Sequence, residues 1–194
     1  MKIYFVTSNR IKYEYMTRNI SNHEIIWIKH RFSEKQKLNQ DFITNKLREA
    51  HSILSKTIQE PFSVFVEDRL ICLQSLARFP PIHIKDPNNL NIFEKHEIIA
   101  VLGRKAYKIS QIAIYHRRKT MKFLEYTKFT TGINKFGEPL THFDQILKYK
   151  GQKLKDMSHN EKEQLDECKK SVERLSKHLD DLEEIENKEN LNEI

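Results

Sequence analysis

Ser63-Val64-Phe65-Val66-Glu67-Asp68-Arg69-Leu70 is the stretch on which the reading of the chain turns. Three apolar residues in a row, two of them β-branched, read as a short buried strand. The spacing predicts a strand over 63–67 that ends in two adjacent carboxylates. In an open α/β sheet, ligands sit at the carboxyl ends of the strands. An acidic pair there suits a divalent cation or an activated water; by itself it reads first as a solvated strand end.

The segments on either side extend the pattern. Residues 2–8 contain the continuous apolar run Ile3-Tyr4-Phe5-Val6, a buried first strand. Thr7-Ser8-Asn9 is a turn that can cap a helix over 10–20. Glu24 to Ile28 reads as a second strand. Residues 41–58 read as a helix, with Asp41 as its cap and Ile43, Leu47, Ala50 and Leu54 at the 3.6 period. Strand and helix in alternation predict an α/β sheet. Downstream, Lys105 to Tyr115 and Met121 to Phe129 read as antiparallel partners about the basic turn His116-Arg117-Arg118-Lys119, which makes the sheet mixed. Ser158-His159-Asn160-Glu161 has capping-box spacing. It opens a predicted helix over 159–185, whose apolar stripe is Leu165, Cys168, Val172, Leu175, Leu179 and Leu182. The expected organisation is one domain over 1–185 and a frayed acidic tail over 186–194.

At 194 residues, 38% apolar and 31% charged, the chain is polar for a globular protein. It lacks the roughly 18 uninterrupted apolar residues of a membrane span, and its first apolar run is too short for a signal peptide. Cys72 and Cys168 form no metal pattern, so a reduced, cytoplasmic protein is expected. The net charge of +7 is uneven. Residues 178–194 hold seven acids and one lysine, leaving a body of +13 that calls for an anionic partner. The histidines show no zinc spacing, and the basic turn lacks the interleaved aromatics of a nucleic-acid contact.

Four features point to phosphate and metal. Thr7, Asn9 and Lys12 lie between a strand and a helix start, where N–H groups, hydroxyls and a lysine suit phosphate, although the glycines of a Walker A loop are missing. Lys46 lies on the apolar stripe of its helix, and spacing alone favours snorkelling to the rim. Glu34, after the second strand, would join Glu67 and Asp68 as a third carboxylate, and Mg²⁺ takes such hard oxygens. Lys162 stands in the first turn of the last helix, against the helix dipole but beside free N–H groups.

Taken in order, these residues resemble the inosine/xanthosine triphosphate pyrophosphatase family, which acts on noncanonical purine nucleotides. Lys2 to Lys12 resembles its strand followed by T-x-N-x-x-K. Glu34-Lys35-Gln36 resembles E-x-Q, and Lys46 to Ala50 resembles K-x-x-x-A. Val66-Glu67-Asp68 with Cys72 to Leu76 resembles its E-D-[ST]-G-L segment, followed by Phe79-Pro80. Phe143-Asp144-Gln145-Ile146-Leu147 resembles its aromatic-D-P-I-F motif. The resemblance implies an elongated mixed sheet with two lobes, a nucleotide cleft and a homodimer. It also implies Mg²⁺-dependent hydrolysis of the α–β phosphoanhydride to a monophosphate and pyrophosphate. Thr7, Asn9, Lys12, Lys46 and Lys162 would grip the triphosphate, and Glu34 and Glu67 would serve the metal. Asp68 would position the water and touch the metal, while Phe143 and Asp144 would face the base.

The chain departs from the family where Arg69-Leu70 replaces Ser/Thr-Gly, and where Asp166-Glu167-Cys168 replaces a serine-histidine-arginine triplet that reads the purine. Thr141 replaces an aromatic. Altered base recognition is therefore expected. A catalytically weak nucleotide-binding protein on the same fold is the alternative, and a nucleic-acid module screened by the acidic tail a more distant one.

Overall fold

A computed structural model describes residues 1–32, 42–59, 61–73, 82–84, 105–132 and 143–192. Strands β1 (Lys2–Val6), β2 (Glu24–Ile28) and β3 (Val64–Leu73) are parallel, with β1 between the other two. Strands β4 (Ile82–Ile84), β5 (Lys105–His116), β6 (Lys119–Thr131), β7 (Leu147–Tyr149) and β8 (Gln152–Lys153) complete a mixed sheet of order β2-β1-β3-β5-β6-β7-β8, with β4 added to β3. The β3–β4, β6–β7 and β7–β8 pairs are antiparallel. Helices α1 (Arg10–Asn19), α2 (Phe42–Leu54), α3 (His159–Gln164) and the long α4 (Glu167–Asn192) accompany it.

The chain divides into two compact units, Met1–Asp68 with Gln111–Leu124 and Lys169–Ile194, and Arg69–Ser110 with Glu125–Cys168. In the first, α2 buries its stripe of Ile43, Leu47, Ala50 and Leu54 against Val6, Val64, Val66 and Ala113. Each of the larger side chains contributes roughly 1.5–3 kcal/mol by leaving water. Phe5 and Phe65, one residue out of phase with Val6 and Val64, stack with ring centres 4.5 Å apart, as strand alternation requires. In the second unit, Ala106, Phe129, Ile146, Leu147, Leu154 and Met157 form the core.

Four expectations are corrected. The strand through the acidic pair does not stop at Glu67 but runs to Leu73. The pair nevertheless lies just past the end of β1, whose partners on β3 are Val64 and Phe65. The helix expected over 159–185 is two helices. Ser158 and Glu161 do form the capping box of the first, but Asp166 starts the second, its Oδ1 accepting the Cys168 N–H at 2.9 Å. A short acidic side chain outside a helix captures an orphan N–H more readily than it continues the turn.

Residues 186–192 do not fray but continue α4. Acids along the second half of α4 have partners: Arg117 meets Glu186 at 3.2 Å and Glu189 at 2.6 Å, while Asp180 meets His23 at 3.1 Å and Glu183 the amino terminus. The acidic helix thus occupies the basic turn. Arg117 and Arg118 have φ of 44° and 63°, the two left-handed residues of a tight hairpin, a place usually given to Asn-Gly. The stripe of α4 is core: Cys168, Val172, Leu175 and Leu179 are buried.

Candidate functional site

The first cluster begins where β1 ends. The Thr7 hydroxyl accepts the Asn9 N–H at 3.1 Å, and Asn9 Oδ1 accepts the Lys12 N–H at 3.2 Å, capping α1. The Trp27 indole donates to the Thr7 carbonyl at 2.8 Å and stacks on Tyr13, which fixes the turn from the neighbouring strand. One turn into α1, the Lys12 ammonium pairs with Glu67, whose side chain is fully buried. The lysine is thus directed at the acidic pair and is not a free surface charge.

Lys46 is the fourth correction. It does not snorkel. Its residue is buried, and Nζ donates to Asp68 Oδ2 at 2.9 Å. The rings of Phe42 and Phe32 lie 4.8 and 5.5 Å from the ammonium, where an aromatic face attracts a cation. The direction follows from alternation. Val64, Val66 and Asp68 share one face of β3, and α2 packs on that face, so a lysine on the buried stripe of α2 meets Asp68. Two charges in low dielectric are tolerable only as a pair.

The same alternation separates the acids. Glu67 is reached from α1 and Asp68 from α2, so they point to opposite faces. Their oxygens are the hard donors that Mg²⁺ takes one or two at a time, so the residue types fit such an ion. Among the described residues no group of three His, Cys, Asp or Glu is assembled. Glu34 lies outside the described residues.

The second cluster lies in the other unit. A pocket of about 270 Å³ is lined by Arg69, Lys108, Asp144, Lys162, Asp166 and Glu167 among others. Asp144, in a 3₁₀ turn over Phe143–Gln145, accepts from Lys108 Nζ at 2.9 Å. The Lys162 ammonium donates to the Lys155 carbonyl at 3.4 Å. Burial pushes the Glu167 carboxyl above the usual range, against the opposing pull of Lys108 and Arg69. Asp144 and Lys162 are therefore together in one pocket. Of Phe143 the backbone alone is described.

Lys108 was not singled out from the sequence. A signal for it exists: it shares the phase of Ala106, Ser110, Ile112 and Ile114, all buried on β5. A lysine on the buried phase of an alternating strand needs an acid.

The sequence profile of the Ham1 family matches residues 3–178. No curated protein matches the chain by sequence. Among solved structures, the Staphylococcus aureus Ham1 protein superposes with a TM-score of 0.66 at 16% identity, covering 91% of this chain and 98% of its own. A Coxiella burnetii HAM1 protein gives 0.66 at 16%, covering 93% and 99%. A Mycobacterium abscessus nucleoside-triphosphatase, a dITP/XTP pyrophosphatase, gives 0.63 at 17%, covering 90% and 98%. At these identities the likeness is one of fold, and it agrees with the mixed sheet and long terminal helix expected from the sequence.

Proposed function

The chain belongs to the Ham1 family, and on that premise we propose that it hydrolyses the α–β phosphoanhydride of nucleoside triphosphates, releasing a monophosphate and pyrophosphate, with altered base recognition. The observation that carries this reading is the buried Lys46–Asp68 pair beside Lys12–Glu67. Two lysines held at two buried carboxylates, just past the end of the parallel strand β1, are costly for a merely structural purpose. They are suited to a polyanion and a water. The dITP/XTP pyrophosphatase name of the Mycobacterium abscessus relative points the same way.

In this reading Lys12 and Lys46 lend their N–H groups to phosphate oxygens, and Thr7 and Asn9 hold the turn that brings Lys12 in. Asp68 accepts a hydrogen bond from the attacking water and takes its proton as the oxygen bonds to phosphorus, while the leaving pyrophosphate departs. Mg²⁺, held by carboxylates drawn from Glu34, Glu67 and Asp68, would supply neutralisation of the phosphate charge. In the second unit Phe143, Asp144 and Lys162 are assigned to substrate binding. We further place the protein in the cytoplasm as a homodimer. Among the described residues no helix is long and apolar enough to cross a membrane, and Cys168 is a buried thiol; the dimer rests on the family resemblance alone.

The test is pyrophosphate release across a panel of nucleoside triphosphates, with and without Mg²⁺, by wild type and Asp68→Asn. Release that needs both the metal and Asp68 supports the reading. Equal background rates for the two proteins on every nucleotide would leave a nucleotide-binding protein without this activity.

A further inference from the structure

The pocket of the second unit is lined by more carboxyls than phosphate binding needs, and they are not equivalent. Asp144 is paired with Lys108 at 2.9 Å. Asp166 is spent on the start of α4, accepting the Cys168 N–H. Glu167 is different. It is more than nine-tenths buried yet lines the pocket; its own backbone N–H, then Lys108 and Arg69, draw its carboxyl down against the effect of burial, and an ionised carboxylate offers about four lone-pair sites. A buried carboxyl with spare acceptor capacity at a pocket wall costs free energy unless a ligand supplies donors. Phe129, Leu154 and Leu165 give the same pocket apolar walls, and Arg69 and Lys162 give it cations. A flat heterocycle on a phosphorylated sugar matches that combination of apolar wall, acceptor and cation.

We propose that Glu167 is a specificity-determining residue that selects a guanine-type base, one presenting a ring N–H and an exocyclic amino group side by side. The inference rests on the nucleotide-hydrolase reading above and names its substrate class. Two parallel donors meet the two oxygens of a carboxylate as a fork, the geometry that makes bidentate pairs selective. Hypoxanthine offers the ring N–H without the amino group and leaves one oxygen unmet. Adenine offers an acceptor where the carboxylate needs a donor. Sites that hydrogen-bond a substrate group discriminate strongly against an analogue lacking it, because their own buried group is then left unpaired. Arg69 and Lys162 are the pocket's candidates for the phosphate of such a nucleotide.

The test measures binding of GMP, IMP and AMP by calorimetry to wild type, Glu167→Gln and Glu167→Asp, beside pyrophosphate release from GTP and ITP. Thermal melts show that each variant is folded. Wild type is expected to prefer GMP over IMP by at least about 10-fold, the size of one lost hydrogen bond to a charged group. Glu167→Gln, whose amide turns a donor toward the base, loses that preference, and Glu167→Asp retains part of it. Equal affinity for GMP and IMP in wild type, or an unchanged preference in Glu167→Gln, overturns the inference. Equal kcat/KM for GTP and ITP overturns it while the hydrolase reading stands. GMP-selective binding without pyrophosphate release does the reverse, and no binding of any nucleotide overturns both.

Discussion

The acidic pair of the first unit and the pocket of the second use the same residue types in opposite ways. At Glu67 and Asp68 each carboxylate has a lysine of its own, and three of the four side chains are at most 9% exposed. In the pocket the Lys108–Asp144 pair is 25% and 38% exposed, and the carboxyls differ in what they are committed to. Dry, closed pairs fix charge in place, which suits chemistry that requires one geometry. A wetter set with spare acceptors suits recognition and is freer to change between relatives. The resemblance read from the sequence runs through the motifs around Lys12, Lys46, Glu67 and Asp68, and its departures fall at Arg69 and Asp166-Glu167-Cys168.

The contrast can be broken in order of expected effect. Asp68→Asn should reduce pyrophosphate release by about 10²–10⁴-fold, the contribution of a positioned general base; steady-state rates on the best nucleotide decide this. Lys46→Met should cost about 3–5 kcal/mol of stability, because it removes the cation held against a buried carboxylate. Denaturant unfolding should show that loss largely recovered in the Lys46→Met/Asp68→Asn double variant. A small loss in the single variant would mean that water reaches the pair.

Arg69→Ala should raise KM roughly 10-fold with little change in kcat, as expected for one charged hydrogen bond to substrate. An unchanged KM would show that Arg69 does not meet the substrate. Lys108→Ala, at the half-exposed pair, should cost no more than about 1 kcal/mol, and a loss comparable to that of Lys46→Met would erase the distinction between the two regions.

The smallest effect is one of pH. Burial raises the Glu167 carboxyl in the folded state, so between its ordinary and its raised value the folded protein holds a proton that the unfolded chain releases. Stability therefore falls as pH rises through that window. Melting temperatures of Glu167→Gln should gain on wild type from pH 4 to pH 8. A constant difference would show that the carboxyl is hydrated.

Much of the architecture was legible because its causes are local. The strands at 2–8, 24–28 and 105–115 follow from apolar runs and alternation. The caps at Asn9 and Ser158 follow from short side chains that reach N–H groups three residues away. The break at Leu165-Asp166 was hidden because the apolar stripe continues through it in phase. At the candidate site, Lys12, Lys46, Glu67, Asp68, Asp144 and Lys162 were all visible as residues of interest, but their partners were not. Lys108 went unnoticed because one lysine in an alternating strand looks like a surface residue until its phase is compared with Ala106 and Ile112.

By itself, then, the sequence determined the order of the longer strands and the first two helices, the family pattern and the identity of the charged residues, since period and capping act within a turn or two of chain. Only the tertiary structure decided that Lys46 points inward, that Glu67 and Asp68 face opposite ways with different lysines, and that the acidic helix closes on the basic turn. These pairings span 22 residues for Lys46 and Asp68 and 72 for Arg117 and Glu189. A lysine on an apolar stripe reads from spacing alone as snorkelling, yet it can also be buried. What separates the two is the face packed against it, which is set by how distant strands and helices come together.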